Sequence, residues 1–472
     1  MKQLILSLLV FTLFILPARS EKYDIIIQNV NIVNVETGSI VKNQDVGVQQ
    51  QIIKKISAGN RLLASDSTQV IDGNGKYLIP GLWDMHVHFY FPDKEYLKMY
   101  LAKGVVGVRE MTGYQMEWKD STKQNCNVPR IMFASQIMDG PTPWFKSSIP
   151  VKDCEHAVEI VQEAKRNGSE FVKLLSLVPR DQYMAIVNEC NRLNFDFAGH
   201  VPYSVRLIEA AKLGQKSNEH LNGLLLSCSK KENFLHARLD SLLSISSKEE
   251  KLSKILKMQI MGCRTKALRS FDQQKADSVI HELCKYNMYQ CPTLGVKHRF
   301  QYNELEWIYT DNRYDFFPPP VTKRYRPDAE TLKKVKSFDR ELILQEKLLL
   351  QMHTEGVKII AGSDQGCAGF NLHDELEYLV NAGLSNAEAL KTATINPASF
   401  MNKEKSMGSV KVNKLADLVL LNANPLENIQ NTRDIKLVIF KNKVIQPDQL
   451  LQEVKEVNLK ISNEDPFEKK FD

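Results

Sequence analysis

The feature that most constrains this chain is a regular alternation of short apolar runs with helical patterns between residues 78 and 364. Eight runs stand out: LIPGLWDMHVHF (78–89), GVVGVREM (104–111), RIMFASQI (130–137), FVKLLSL (171–177), FDFAGHV (195–201), QKSNEHL (215–221), YQCPTL (289–294) and VKIIAGSD (357–364). The segments between them, such as HAVEIVQEAKRNG (156–168) and VRLIEAAKLG (205–214), repeat apolar residues at helical spacing. Strands that alternate with helices build a parallel sheet. Eight such units predict an α/β protein whose body is a closed (β/α)8 TIM barrel, not an open sheet. After the eighth run, Ser385 with Glu388 three residues on forms a capping box that opens another helix.

The two ends of the chain have a different texture. Residues 23–79 read as short strands punctuated by Thr-Gly, Asn-Gln-Asp and Gly-Asn-Gly turns. Near residue 406 the same texture returns in SMGSVKVNKLADLVLLNANP and IKLVIFKNKVI. The ends are therefore expected to pair into one small β-sandwich domain, with residues 21–79 and 401–448 flanking a barrel over 80–400. Residues 449–472 are charged and weakly patterned, and read as a surface tail. Two stretches, 224–286 and 297–345, are too long for plain connections and follow late strands. They read as substrate walls or, equally, as solvated insertions.

Residues 1–20 have the layout of a signal peptide. Lys2 is followed by an apolar run from Leu4 to Leu16, then Pro17 and the small residues Ala18 and Ser20 around Arg19. The expectation is an exported protein, periplasmic or secreted, that begins near Glu21 and keeps no membrane anchor; an uncleaved anchor is the alternative. No internal run approaches the roughly 20 apolar residues of a membrane span. The formal charge of +6 is too mild and too evenly spread to argue for nucleic acid. Eight cysteines permit up to 105 full disulfide pairings, but they show no CxxC pair, and most read as buried or idle thiols.

Chemistry gathers at the carboxyl ends of the predicted strands, where barrels of this type carry their sites. The first run ends in His86-Val87-His88, and period-two alternation points both imidazoles the same way. Lys173 lies on the fourth run, His200 ends the fifth, His220 the sixth and Asp364 the eighth. Imidazole and carboxylate suit zinc, manganese or a similar divalent ion. Lys173 has two readings. A buried amine that loses its proton can take up carbon dioxide as a carbamate and bridge two ions; alternatively it pairs with an acid at the rim. Arg109, Tyr203 and His373 lie just past strand ends or in the last barrel loop. Each is a candidate to hold a substrate carboxylate or oxyanion, with a structural role at the rim as the alternative. The histidines at 156, 236, 281, 298 and 353 read as surface or packing residues.

The segments IPGLWDMHVHF, FVKLL, FAGHVPYS, SNEHLNG, AGSDQG, GLSNAEALKTATINPASFM and KLADLVLLNANPLENI together resemble the amidohydrolase superfamily, within it the imidazolonepropionase and prolidase-like members. The resemblance spans residues 23 to about 445. It implies that His86 and His88 ligate the more buried metal, that His200 and His220 ligate a second, and that Lys173 is the carboxylated bridge. It also implies that Asp364 is both ligand and proton shuttle. One ion is expected without that modification and two with it, zinc foremost. The expected activity is hydrolysis of C–N bonds, amide or peptide-like, in a small substrate such as a dipeptide. The alternatives are a mononuclear hydrolase of cyclic amides or amidines, or a deaminase, and, from another class, a non-catalytic exported binding protein. A homo-oligomer stays open.

Overall fold

The computed structural model describes residues 22–59, 61–89, 94–123, 125–246, 253–298, 312–316, 339–364 and 366–460. The proposed signal segment thus lies outside the described residues. The chain opens with β1 (Ile25–Asn34), β2 (Ser39–Gln49), β3 (Ile52–Ala58), β4 (Gln69–Asp72) and β5 (Tyr77–Pro80). The body carries β6 (Leu82–Val87), β7 (Val105–Glu110), β8 (Arg130–Phe133), β9 (Met138–Asp139), β10 (Ile149–Pro150), β11 (Phe171–Leu174), β12 (Asp196–Gly199), β13 (Ser217–Glu219) and β14 (Tyr289–Cys291). It closes with β15 (Leu418–Leu421), β16 (Ile435–Phe440) and β17 (Lys443–Ile445).

The two chain ends do pair. β17, β16, β15, β5, β1, β2 and β3 form one sheet in that order, with β4 added beside β1, and β15 runs antiparallel to β5. The hydrogen bonding makes a single sheet where a sandwich was expected, because β1 carries irregularities between Ile27 and Ile32 that bend it. β4 then pairs with its first half and β5 with its second. Both faces of the joining strands are buried. Leu418, Leu420, Leu437 and Ile439 pack into a core within the sheet, while Val419, Leu421, Val438 and Phe440 pack into the core of the body. Strict alternation between two dry faces explains why ADLVLL and IKLVIF are nearly unbroken apolar runs.

The body is a TIM-barrel-type α/β fold. β6, β7 and β8 are parallel neighbours, and β10, β9, β11, β12, β13 and β14 form a second parallel set. The peptide groups of Glu170 and Ser135 link the two sets by bonding to Phe133 and Phe171. The eighth run, 357–364, forms one isolated bridge instead of a regular strand. Its bonds go alternately to β14, through Lys358 and Ile360, and to β6, through Ala361 and Asp364, so neither ladder is long enough to count as a strand. The short β9 and β10 were not anticipated.

The capping box at Ser385 and Glu388 is present in full. Of the expected surface tail, Pro447–Lys460 is a helix that buries Leu450 and Val454, and Lys98 Nζ lies 2.7 Å from Glu453 Oε2. Apolar residues four apart on a charged helix are an amphipathic signal that the charge density masked. The 224–286 stretch folds into the helices Leu224–Ser227, Glu232–Ser246, Ser253–Arg269 and Gln273–Lys285; Glu232–Ser246 and Ser253–Arg269 form a small apolar core with Leu177, Tyr203 and Leu226, while Gln273–Lys285 packs into the main core. All eight cysteines are free thiols, five of them buried. No helix among the described residues is long and apolar enough to cross a membrane.

Candidate metal centre

The strand ends bring the histidines together. Ring centroids of His86 and His88 are 5.1 Å apart, His86 and His220 4.8 Å, and His200 and His220 4.9 Å. Asp364 reaches between them, with Oδ1 2.9 Å from His88 Nε2 and 3.7 Å from His86 Nε2, and Oδ2 3.6 Å from His220 Nδ1. Donor atoms of His86, His220 and Asp364 all lie within 4.8 Å of one another. His220 and Asp364 have positive φ values of 61° and 47°, and so do Leu221 at 54° and Thr293 at 47°. For a β-branched threonine that conformation is a genuine outlier, and such strain collects where surroundings force a side chain to aim at a site.

His86, His200 and His220 are each oriented by a partner on Nδ1. His86 Nδ1 lies 2.7 Å from Glu219 Oε2, and both residues are buried. Burial pushes the Glu219 carboxyl up, but Arg109, Lys173 and a bond from Ser217 bring it below its usual value, so it is a carboxylate and accepts. His86 therefore carries its proton on Nδ1, which leaves Nε2 with a bare lone pair. That Nε2 is buried and has no hydrogen-bond partner. His220 Nδ1 lies 2.6 Å from Thr293 Oγ1, whose own proton goes to the Pro292 carbonyl, so Nε2 of His220 is bare as well. His200 Nδ1 lies 2.7 Å from Ser176 Oγ, which also accepts from Asn222 Nδ2. Burial, more than any neighbouring charge, holds His86, His200 and His220 well below the ordinary imidazole range. Burial pushes Asp364 up, but His86, the bond from His88 and Lys173 keep it below the usual carboxylate value. Neutral imidazoles around an ionised carboxylate are the protonation states that metal ligation requires.

Lys173 is buried beside this cluster, its peptide N–H bonded to Ser135 Oγ. Among the described residues no carboxylate stands within ion-pair distance of its Nζ, which disfavours the reading as a lysine paired with an acid. Desolvation first, and then Arg109, lower it to about 8 against the pull of Glu219 and Asp364.

Two expectations about substrate contacts are corrected. Arg109 is wholly buried and its guanidinium is spent inside the protein: Nε donates to the Met85 carbonyl, Nη1 to Ser217 Oγ and Nη2 to Glu219 Oε1. A side chain on a barrel strand just short of the rim points into the interior layer, not at the substrate. His373 is also buried, with its ring nitrogens 2.9 Å from Thr432 Oγ1 and 2.9 Å from the Lys103 carbonyl, so it ties the helix Phe370–Asn381 to those segments instead of facing the site. Tyr203 does face the site. With His200, His220 and Ser176 it lines a cavity of about 310 Å³, walled by Leu225, Leu226, Leu239 and Ile260. Part of that wall comes from the inserted helices, so the 224–286 stretch lines the cavity.

Sequence reasoning missed Glu219, Ser176, Thr293 and Lys297. Glu219 had a signal, since it directly precedes His220 in the SNEH segment, but alternation points neighbouring residues to opposite sides of a strand. It reaches His86, on a strand of the other parallel set, only because the fold brings the two together. Asp84 braces the same corner, accepting from the peptide groups of Ser363 and His86, and burial pushes it up to about 7.

Residues 330–445 match a family described as the amidohydrolase family. A dihydroorotase from Carboxydothermus hydrogenoformans is 51% identical over 67 residues, 14% of this chain and 15% of that protein. An adenine deaminase from Clostridium botulinum is 31% identical over 91 residues, 19% of this chain and again 15% of that protein. The matches thus span only about 15% of the curated relatives' length. Solved structures match along the whole chain at low identity. A bottromycin amidohydrolase superposes with a TM-score of 0.69 at 19% identity, covering 93% of this chain and 91% of that one. A Xaa-Pro dipeptidase with methionine bound in its active site gives 0.61 at 19% identity, covering 89% and 99%.

Proposed function

We propose that this chain is a member of the amidohydrolase superfamily and, within it, an exported, metal-dependent hydrolase of C–N bonds in a small amide, such as a dipeptide or N-acyl amino acid. The observation that carries this reading is the bare, buried Nε2 of His86 beside His220 and Asp364. A buried polar atom without a partner is costly, and a divalent cation satisfies it. His86, His88 and Asp364 would hold one ion and His200 and His220 a second, zinc being the natural choice for this nitrogen and oxygen set. Lys173, as a carbamate, would be shared between them. When bound, such ions polarise a carbonyl and lower the pKa of water.

The residues themselves supply the rest. Glu219, Ser176 and Thr293 fix the imidazole orientations. Asp364, ionised and within reach of three histidines, takes a proton from attacking water and returns it to the leaving nitrogen. An amine leaves poorly as an anion, so that return is required. The cavity beside His200 and His220 shields the reacting bond and receives the substrate body. The export part rests on the Leu4–Leu16 run and the small residues behind it.

A library of dipeptides, N-acyl amino acids and cyclic amides, assayed on metal-reconstituted protein, tests this reading. Turnover of open-chain amides with two ions per chain supports it. One ion per chain, with turnover confined to cyclic amides or amidines, favours the mononuclear alternative, to which the dihydroorotase and deaminase segments lend support. A metal-loaded protein that turns over nothing on the panel would leave only a binding role. For export, secreted material that still begins at Met1 would refute signal cleavage.

A further inference from the structure

The cavity beside the histidines has a largely apolar wall, with charged groups at Lys297, Arg264 and Glu341. Lys297 sits on the short helix Leu294–His298 that follows β14, and its Nζ faces the cavity. It donates to the His220 carbonyl at 3.0 Å and to Gln345 Oε1 at 2.7 Å. An ammonium group has three N–H donors. One is uncommitted, and among the described residues no carboxylate lies within ion-pair distance of it. The other cation on the lining, Arg264, is already matched by Glu341, with Nη2 2.8 Å from Oε1. Lys297 is thus an amine of the lining with no carboxylate within ion-pair distance among the described residues, drawn down to about 7 by burial and by Arg264, beside walls of Leu225, Leu226, Leu239, Ile260 and Val296.

We propose that Lys297 is the anion-recognition residue of this cavity, and that the substrate is an N-acyl amino acid or dipeptide whose carboxy-terminal residue is large and apolar. The inference rests on the hydrolase reading above and narrows it. In an α-amino acid the nitrogen is two bonds from the carboxylate carbon. A carboxylate held at Lys297 Nζ, which itself touches the His220 backbone, leaves the N-acyl bond close to the His220 ring and Asp364. The apolar side chain then fills the leucine-lined space. The one uncommitted N–H of Lys297 suits a single carboxylate oxygen. A charge-assisted hydrogen bond in such surroundings contributes about 1.5–3 kcal/mol, on the order of 10- to 150-fold in affinity.

The test compares N-acetyl-L-phenylalanine with its carboxamide and with N-acetyl-L-alanine on the metal-loaded enzyme. The wild type is expected to prefer the free acid over the carboxamide, and phenylalanine over alanine. Lys297→Met should raise KM for the free acid by roughly 10- to 100-fold, change kcat little and erase the preference over the carboxamide. Lys297→Arg should retain the preference, which separates lost charge from disturbed folding. An equal loss on acid and carboxamide in Lys297→Met would overturn the assignment. Calorimetric binding of L-phenylalanine against phenylalaninamide gives a readout without turnover. If hydrolysis proceeds without discriminating acid from carboxamide, the subsite is wrong and the hydrolase reading stands. If no amide is cleaved but the acid binds wild type and not Lys297→Met, the subsite stands and the hydrolase reading falls.

Discussion

The two sides of the histidine cluster are built differently. On the first, His86 is braced by a full negative charge: Glu219 accepts from its ring and is itself held by the buried guanidinium of Arg109. On the second, His200 and His220 are braced by the neutral hydroxyls of Ser176 and Thr293, and both histidines line the open cavity. A carboxylate behind an imidazole raises its basicity and fixes its tautomer, whereas a hydroxyl mainly orients it. Under the proposed metal reading, the difference teaches that the inner position would hold its ion more tightly and that the outer one, open to the cavity, would be the one to meet substrate.

The largest effect should come from the inner ligands. Replacing His86 and His88 together with Ala is expected to abolish turnover and strip metal, as read by elemental analysis of the purified protein. Full metal occupancy in that double variant would sink the assignment and the comparison with it. Arg109→Met comes next. It leaves Glu219 buried without its partner, and breaking a buried pair from one side costs about 3–5 kcal/mol. Denaturant unfolding should show a loss of that order; a change under about 1 kcal/mol would mean that the charged brace carries no strain-bearing load.

Glu219→Gln sharpens the contrast directly. Metal affinity measured by chelator competition should fall by roughly 10- to 100-fold, the usual weight of an outer partner to a metal-bound histidine. Ser176→Ala and Thr293→Val should each weaken only the more loosely held ion, and by less. Equal losses on both sides would erase the asymmetry.

A pH experiment probes the hydroxyl side through its support. Glu375 accepts from the peptide groups of Leu294 and Gly295, just beyond Thr293, and burial pushes its carboxyl up to about 8 from an ordinary 4.5. The folded state thus binds the extra proton between those values. Stability tied to this group is greatest below about 4.5 and declines as pH rises towards 8. Glu375→Gln should flatten that decline in melting curves taken across the window; an unchanged slope would show that Glu375 does not cause it. Smallest of all, Ser385→Ala removes a cap remote from both sides. It should cost about 1 kcal/mol and leave metal affinity untouched.

Much of this was legible from the chain alone. Local rules act over a few residues, so the capping box at Ser385, the strand runs and the histidines at their ends could be read from spacing. The pairing of the two ends could be read from their shared texture. The roles of Arg109 and His373 could not, because each depends on which groups from distant strands stand opposite. Arg109 meets Ser217 and Glu219 more than a hundred residues away. The helix at Pro447–Lys460 was hidden because its two buried residues make sense only against the barrel surface that covers them.

Sequence determined the kinds of ligand and the strands that carry them, because side-chain chemistry and period-two alternation are properties of the chain itself. Tertiary structure decided which nitrogen of His86 is bare, which histidines share a brace, and that no carboxylate among the described residues stands within ion-pair distance of Lys297. Those outcomes depend on desolvation and on distances of a few ångströms between residues far apart in the chain, which spacing along the sequence does not encode.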